Sequence, residues 1–394
     1  MNKFEYFNPV KVIFGEGEVN QIGIQAKEYG KKAILVSYTD ISFYGDLFDR
    51  IHSLLKEQGI DYVDFLGVTA NPTLEQARRG IELCKSEKVD LVIGIGGGSA
   101  MDCAKVIAAG VKYKAGDIIK MIAFSHSDDS SQIPPTQALP TIMIPTLPAT
   151  GSEMNPTAVI TDEVSVRKSY VWAPDCLYPR VAIIDPSLTT SLPPYQTACG
   201  AIDTIAHVLE SYFNGEGGNL DLQDRMQEGV IKAVMDNIPK VLDNPMDTQT
   251  RGLMQWAASI ALNGWVLSGT YGWAPMHQMG HVLSARFKAT HGATLATMIL
   301  AWMRFFAHRR DNKRYSQYAE RIYGKSLSHA ADEFENLLEK IGVETRISQF
   351  GASERDLDML TKDVVTISFG SDNMLASVPE ISREDVRRIY EMAL

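Results

Sequence analysis

DLVIGIGGGSAMDCAK, residues 90–105, reads as a strand, a turn and the start of a helix. Leu91 to Ile95 is a short apolar run, three glycines come next, and Ser99 stands where an N-cap opens a helix. Gly96, Gly97 and Gly98 remove side chains where a backbone must approach something closely. The N-terminus of a helix offers unpaired N–H groups and a partial positive charge, which suits a pyrophosphate. Asp102 falls in the first turn, on the favourable side of the helix dipole. The pattern departs from G-x-G-x-x-G, because Ser99 replaces the last glycine and the turn comes several strands into the chain. A glycine turn that holds no ligand is the plain alternative.

Working outward, the same alternation recurs on both sides. KKAILVSYTD (31–40) is a buried strand; helical patterns at 44–58 and 73–87 flank a strand at 62–66. Upstream, Phe4 to Phe14 alternates as an opening strand or hairpin, turns at Gly15-Glu16-Gly17, and leads into a helical stretch from Val19 to Tyr29. Downstream come short strands in TIMIPT (141–146), TAVITD (157–162) and VAIIDP (181–186), with a polar, proline-bearing loop from Ser125 to Ala138. Strands separated by helices of this length make βαβ units, and so a parallel sheet covered on both faces. Ligands of such sheets sit at the strand ends. There the sequence places Thr146, Thr150, Ser152 and Glu153 after one strand and Asp40 after another. A carboxylate at Asp40 accepts from a ribose diol and repels a 2′-phosphate, which favours NAD over NADP. Lys168, in SVRKSYVW, reads by default as a surface lysine.

After Asp185-Pro186 strand signals nearly vanish and nine helical patterns take over, from Ala198–Phe213 to Arg383–Ala393, with one at Asn312–Tyr323. The expected architecture is therefore an α/β, Rossmann-like domain over 1–186 and an all-helical domain over 187–394. Four of the chain's eight histidines lie in one part of the second domain. Asp203 and His207, and His277 and His281, are i,i+4 pairs that share a helix face, and His291 comes later at a turn before Gly292. One carboxylate with imidazoles suits Fe(II) or Zn(II) and not the all-oxygen cage of Ca(II) or Mg(II). A histidine on an apolar helix face is more often a core residue, so spacing leaves both readings open, and it does not say which of the three later histidines is a ligand.

Composition narrows the class. A net charge of −10 with no basic stripe argues against a nucleic-acid or anionic-membrane partner, and Arg309, Arg310, Lys313 and Arg314 read as a solvated helix face. Cys84, Cys103, Cys176 and Cys199 have no C-x-x-C spacing, as for reduced thiols in the cytoplasm. No leader pattern opens the chain and no apolar run reaches the length of a membrane span.

Taken together, KVIFGEGEV (11–19), GGGSAMDCAK (96–105), PTLPATGSE (145–153), AIIDPSLTTSLP (182–193), GAIDTIAHVLESY (200–212) and HQMGHVLSARFKATHGATLA (277–296) resemble the iron-containing (group III) alcohol dehydrogenase family, in its butanol-dehydrogenase-like branch. The resemblance implies that fold, shared with glycerol dehydrogenase and dehydroquinate synthase, an Fe²⁺ or Zn²⁺ ion, and NAD with NADP less favoured. It places metal ligands at Asp203, His207, His277 and His291, and makes His281 a non-ligand near the nicotinamide, which leaves His281 as the candidate catalytic proton relay. It puts Asn71 and Lys168 at the cofactor, beside Gly97, Gly98, Ser99, Asp102 and Thr146. The expected reaction is hydride transfer between a small aldehyde and its primary alcohol, by a homodimer or larger homo-oligomer. Arg286 and Lys288 leave open an anionic aldehyde such as sulfoacetaldehyde. Glycerol-dehydrogenase-like polyol oxidation, a dehydroquinate-synthase-like lyase and a metal-dependent hydrolase are the other readings. Leu147 and Pro148 depart from the family's PTTAGTGSE, and MILAWM (298–303) has no reading from sequence.

Overall fold

The computed structural model describes residues 2–123, 132–165, 167–216, 218–270, 272–309 and 313–394. Residues 125–131 of the expected loop, the residue Arg310 and the expected helix start at Asn312 lie outside the described residues.

Six apolar segments form one parallel sheet: β1 (Lys11–Phe14), β2 (Lys32–Tyr38), β3 (Asp61–Val68), β4 (Leu91–Gly96), β5 (Thr141–Pro145) and, eighth in chain order, β8 (Val181–Ile184). Their order is β1-β8-β5-β4-β2-β3, with every neighbour parallel. Helices α1 (Ile22–Lys27), α2 (Leu47–Glu57), α3 (Leu74–Glu87) and α4 (Gly98–Lys112) cover it. Because both faces are covered, the central strands are apolar at nearly every position. Ala33, Leu35, Leu91, Ile93 and Ile95 pack into one core with α2, while Ile34, Val36 and Val92 pack into the other with α4. The opening strand is shorter than expected, Lys11–Phe14 only, since β8 pairs with no more than those four residues.

TAVITD does not join this sheet. It is β6 (Thr157–Asp162), antiparallel to β7 (Arg167–Trp172), which the sequence pattern missed, so the two make a separate hairpin. Lys168 therefore lies on a strand with its ammonium in the protein, against the surface position that is the default for a lysine in that stretch.

The second half is helical: α5 (Pro194–Phe213), α6 (Asp221–Asp243), α7 (Thr248–Leu262), α8 (Pro275–Phe287), α9 (His291–Ala307), α10 (Lys313–Tyr323), α11 (Leu327–Lys340), α12 (Leu357–Ser368) and α13 (Arg383–Ala393). The unread MILAWM segment is the middle of α9, the helix buried on all sides at the centre of this core. Its Trp302 donates Nε1–H to the Tyr315 hydroxyl at 3.0 Å. The basic cluster is not simply solvated: Arg314 makes a forked pair with Asp224 (2.7 and 2.8 Å) and donates to the Tyr212 carbonyl. No helix among the described residues is long and apolar enough to cross a membrane.

Candidate active site

The helix after the glycine turn begins at Gly98, two residues earlier than expected, so its N-cap is Gly97 and not Ser99. Ser99 sits inside the first turn, and its Oγ accepts from the Asn71 N–H at 3.3 Å. The first-turn N–H groups of Gly98 and Ser99 have no intrahelical acceptor. Tyr38, unnoticed in the sequence, puts its hydroxyl 3.2 Å from the Gly97 nitrogen and accepts that N–H. A Cβ on Gly98 would lie 2.4 Å from Thr150 Cγ2, so glycine is required there to let α4 reach the β5 loop. Leu147 lines the cleft between this turn and α5.

Not every expected cofactor residue reaches the cleft. Asp40 is exposed and accepts the Ser42 N–H at 2.9 Å, capping its own loop at the end of β2. Thr146 is buried behind the wall, its hydroxyl 3.1 Å from that of Tyr44. Asp102 lines the cleft, but its two oxygens are taken by protein groups: Ser152 Oγ–H at 2.5 Å and the Val159 N–H at 2.9 Å. It therefore ties α4 to β6. Lys168, on the partner strand β7, donates to Asn71 Oδ1 at 2.9 Å across the cleft. Burial pushes the Lys168 ammonium down to about 8, against the attraction of Asp203 and Asp102.

Helix α5 supplies the centre. Asp203, His207 and Glu210 recur at i, i+4 and i+7, one face of the helix. Three imidazole Nε2 atoms converge on Asp203 Oδ1: His277 at 3.5 Å, His291 at 3.6 Å and His207 at 3.9 Å. None is at hydrogen-bond distance, and Asp203 Oδ1 and His277 Nε2 are buried with no partner. Ligand atoms of Asp203, His207 and His277 lie within 4.8 Å of one another. Buried polar atoms left unpaired around one point are costly unless something fills it. A borderline divalent cation fits this donor set.

His281 is the odd one. Its ring stands 5.0 Å from that of His291 and 6.1 Å from that of His277, and no contact places it on Asp203. His277 and His281 share α8, whereas His291 opens α9 after a tight connection in which Lys288 takes a left-handed φ of 53°. Gly292 lets α9 rest on α5, since a Cβ there would fall 2.0 Å from the Cys199 carbonyl oxygen.

Glu210 escaped the sequence reading, although its i+7 spacing from Asp203 was the available signal. Its Oε1 accepts the His277 backbone N–H at 2.7 Å and lies 3.2 Å from His277 Nδ1. That pairing turns His277 Nε2 toward Asp203. Burial works to lower His277, but Glu210 and Asp203 outweigh it and hold the imidazole up at about 9. His207 goes the other way, pushed by burial down to about 4.

Residues 9–186 match the family model described as iron-containing alcohol dehydrogenase, and residues 197–394 match the C-terminal model of the Fe-containing alcohol dehydrogenase family. The chain is 33% identical to NADH-dependent butanol dehydrogenase A of Clostridium acetobutylicum, with 99% of each chain covered. It is 31% identical to an NADPH-dependent aldehyde reductase of Escherichia coli, with 100% of each covered. Among solved structures it resembles an NADH-dependent butanol dehydrogenase A from Thermotoga maritima, at a TM-score of 0.91 and 34% identity, covering 100% of this chain and 99% of that one.

Proposed function

The chain belongs to the iron-containing alcohol dehydrogenase family, and we propose that it interconverts a small aldehyde and its primary alcohol, with NAD(H) preferred to NADP(H). As a family member it is a metal-dependent, NAD(P)-linked oxidoreductase of the alcohol dehydrogenase and aldehyde reductase type. The observation that carries the finer reading is one continuous cleft. Gly97, Gly98 and Ser99 line the same cavity as Asp203, His207, His277, His281 and His291. A hydrolase that only activated water would have no use for the glycine turn in that cavity.

In this reading Asp203, His207, His277 and His291 hold the metal, between units spanning 1–186 and 187–394. When bound, the cation polarises a carbonyl and the dinucleotide carries the hydride. The remaining work falls to the chain. The N–H groups of Gly98 and Ser99, at the N-terminus of α4, would hold a pyrophosphate. Lys168 and Asn71, bonded to each other, brace the cleft where its two lobes meet. His281 borders the cleft without contacting Asp203 and is kept neutral by burial, with Lys168 and the neighbouring imidazoles adding to the effect. Its neutral ring, with one N–H and one bare nitrogen, can relay a proton from water or a ribose hydroxyl to the developing alkoxide, giving from one nitrogen as the other accepts. The four thiols are free, in keeping with a cytoplasmic setting, and a homodimer or larger homo-oligomer completes the proposal.

The test is NADH and NADPH oxidation against short aldehydes, with protein stripped of metal and reloaded with Fe(II) or Zn(II). Turnover that returns with metal and favours NADH supports the reading. A preference for glycerol-like polyols redirects it to polyol oxidation, and no turnover with metal bound removes it.

A further inference from the structure

Two cavities meet at the histidines. One, of about 330 Å³, runs along the glycine turn; the other, of about 270 Å³, opens between β7, α8 and α12. They share Lys168, His277 and His281. On the function proposed above the dinucleotide takes the first, which leaves the second for the tail of the carbonyl compound; the inference rests on that reading.

Helix α8 measures this second cavity. His277, His281, Ala285 and Arg286 all line it. At 1.5 Å per residue, Arg286 lies about 13 Å beyond His277 along the helix axis. An arginine reaching back over its own helix covers about 6 Å of that, at about 1.2 Å per bond. The gap that remains spans about six bonds of an extended chain. A two-carbon anion such as sulfoacetaldehyde, with its carbonyl at the histidines, is too short to touch Arg286. The wall between is largely apolar, with Ala123, Val282, Ala285 and Ile367.

Arg286 is also already paired. Its Nε–H donates to Asp363 Oδ2, on α12, at 2.6 Å. The arginine side chain is 39% exposed and the carboxylate 20%, so the pair stands at the mouth, where cavity meets solvent. A charge-assisted bond of that length cancels the cation as seen from the cavity.

We propose that Asp363 is a specificity-determining residue: by neutralising Arg286 it keeps the far end of the substrate cavity uncharged, selects aldehydes with neutral tails, and denies Arg286 to a terminal carboxylate. Asp363 and Arg286 are 77 positions apart in sequence and meet only because α12 packs beside α8.

The experiment compares each ω-oxo carboxylate with the plain alkanal of equal length, as a ratio of kcat/KM within one variant, so that general damage cancels. For 8-oxooctanoate against octanal, Asp363→Asn is expected to raise the ratio about 10-fold to 100-fold, the worth of a hydrogen bond to a charged group. Glyoxylate against acetaldehyde stays unchanged, because the short acid does not reach. Adding Arg286→Ala to Asp363→Asn removes the gain. An unchanged octanoate ratio overturns the proposal, and so does an equal rise for glyoxylate, which would mean a diffuse field and not contact. Calorimetric binding of 8-hydroxyoctanoate to wild type and Asp363→Asn reads the same contrast without turnover. If no aldehyde is reduced, the reductase reading fails by itself, and the calorimetry still decides this one.

Discussion

Glu210 Oε1 lies 3.2 Å from Nδ1 of His277, and the opposite nitrogen of the same ring faces Asp203 Oδ1 at 3.5 Å. One carboxylate orients the imidazole and the other shares its target. Outer partners of this kind commonly change metal affinity 10-fold to 100-fold when removed. Glu210→Gln is therefore expected to weaken binding of Zn(II) or Fe(II) by about that factor, measured by chelator competition. Affinity equal to wild type would make Glu210 a buried residue with no part in the site.

His281→Ala separates the histidines that spacing could not. Loss of a positioned proton relay costs about 10²-fold to 10⁴-fold in turnover. The expected variant keeps its metal, measured by elemental analysis, and loses kcat within that range. Loss of metal together with kcat would place His281 among the ligands.

Asp102 joins α4 to the hairpin that carries Lys168, through its bonds to Ser152 and Val159. Asp102→Asn can keep only part of that pattern, because an amide offers one acceptor oxygen where the carboxylate offers two. A broken bond at a buried site costs about 1–3 kcal/mol. We expect a lower Tm and a raised KM for NADH with a smaller change in kcat. A fall in kcat with KM unmoved would mean that Asp102 acts in the chemical step and not by position.

Asp40 stands exposed two residues beyond Tyr38, whose hydroxyl accepts the Gly97 N–H. A carboxylate just past the end of β2, the strand beside β4, is placed to repel the 2′-phosphate of a dinucleotide held at the turn that follows β4. Asp40→Ser is expected to raise kcat/KM for NADPH relative to NADH by about tenfold, the effect of a 1.4 kcal/mol change. An unaltered ratio would locate cofactor choice elsewhere.

Lys105 is buried, and its ammonium donates to the Asn155 and Thr157 carbonyls and to Asn155 Oδ1. Burial pushes it down to about 8, with Asp102 and Glu153 opposing. An unfolded lysine titrates near ~10.4, so between these values the unfolded chain binds more protons than the folded one. The contribution of this group to stability accordingly rises with pH across that window and is flat below it. Comparing wild type with Lys105→Met, the difference in Tm should grow in favour of wild type from pH 8 upward. A difference independent of pH would mean that the hydrogen bonds keep Lys105 charged throughout.

The parallel sheet was legible because its central strands are apolar at nearly every position, a demand of burial on both faces that the residues record directly. The pairing of Asp203 with His207 was legible too, since 3.6 residues per turn puts i and i+4 together on any helix. Glu210 obeyed the same period and was passed over. Hairpin β6–β7 was not legible: Lys168 and Arg167 interrupt the apolar pattern, and the burial of Lys168 depends on packing against α8. The site residues read from strand ends and from the helix start are likewise sorted only in three dimensions. Asp102 spends its carboxylate on the protein, Thr146 turns to Tyr44, and Asp40 caps its own loop.

By itself, then, the sequence determined the features that local periodicity dictates: the alternating strands and helices, the glycine turn, and two histidine-bearing helix faces. Tertiary structure alone decided which nitrogens share a point. The left-handed turn at Lys288 and the close seat of Gly292 on Cys199 aim His291, and not His281, at Asp203. Packing of α12 beside α8 likewise brings Asp363 to Arg286. The reason is physical: a helix fixes directions along its own axis, whereas the angle and depth at which two helices meet belong to the side chains of both.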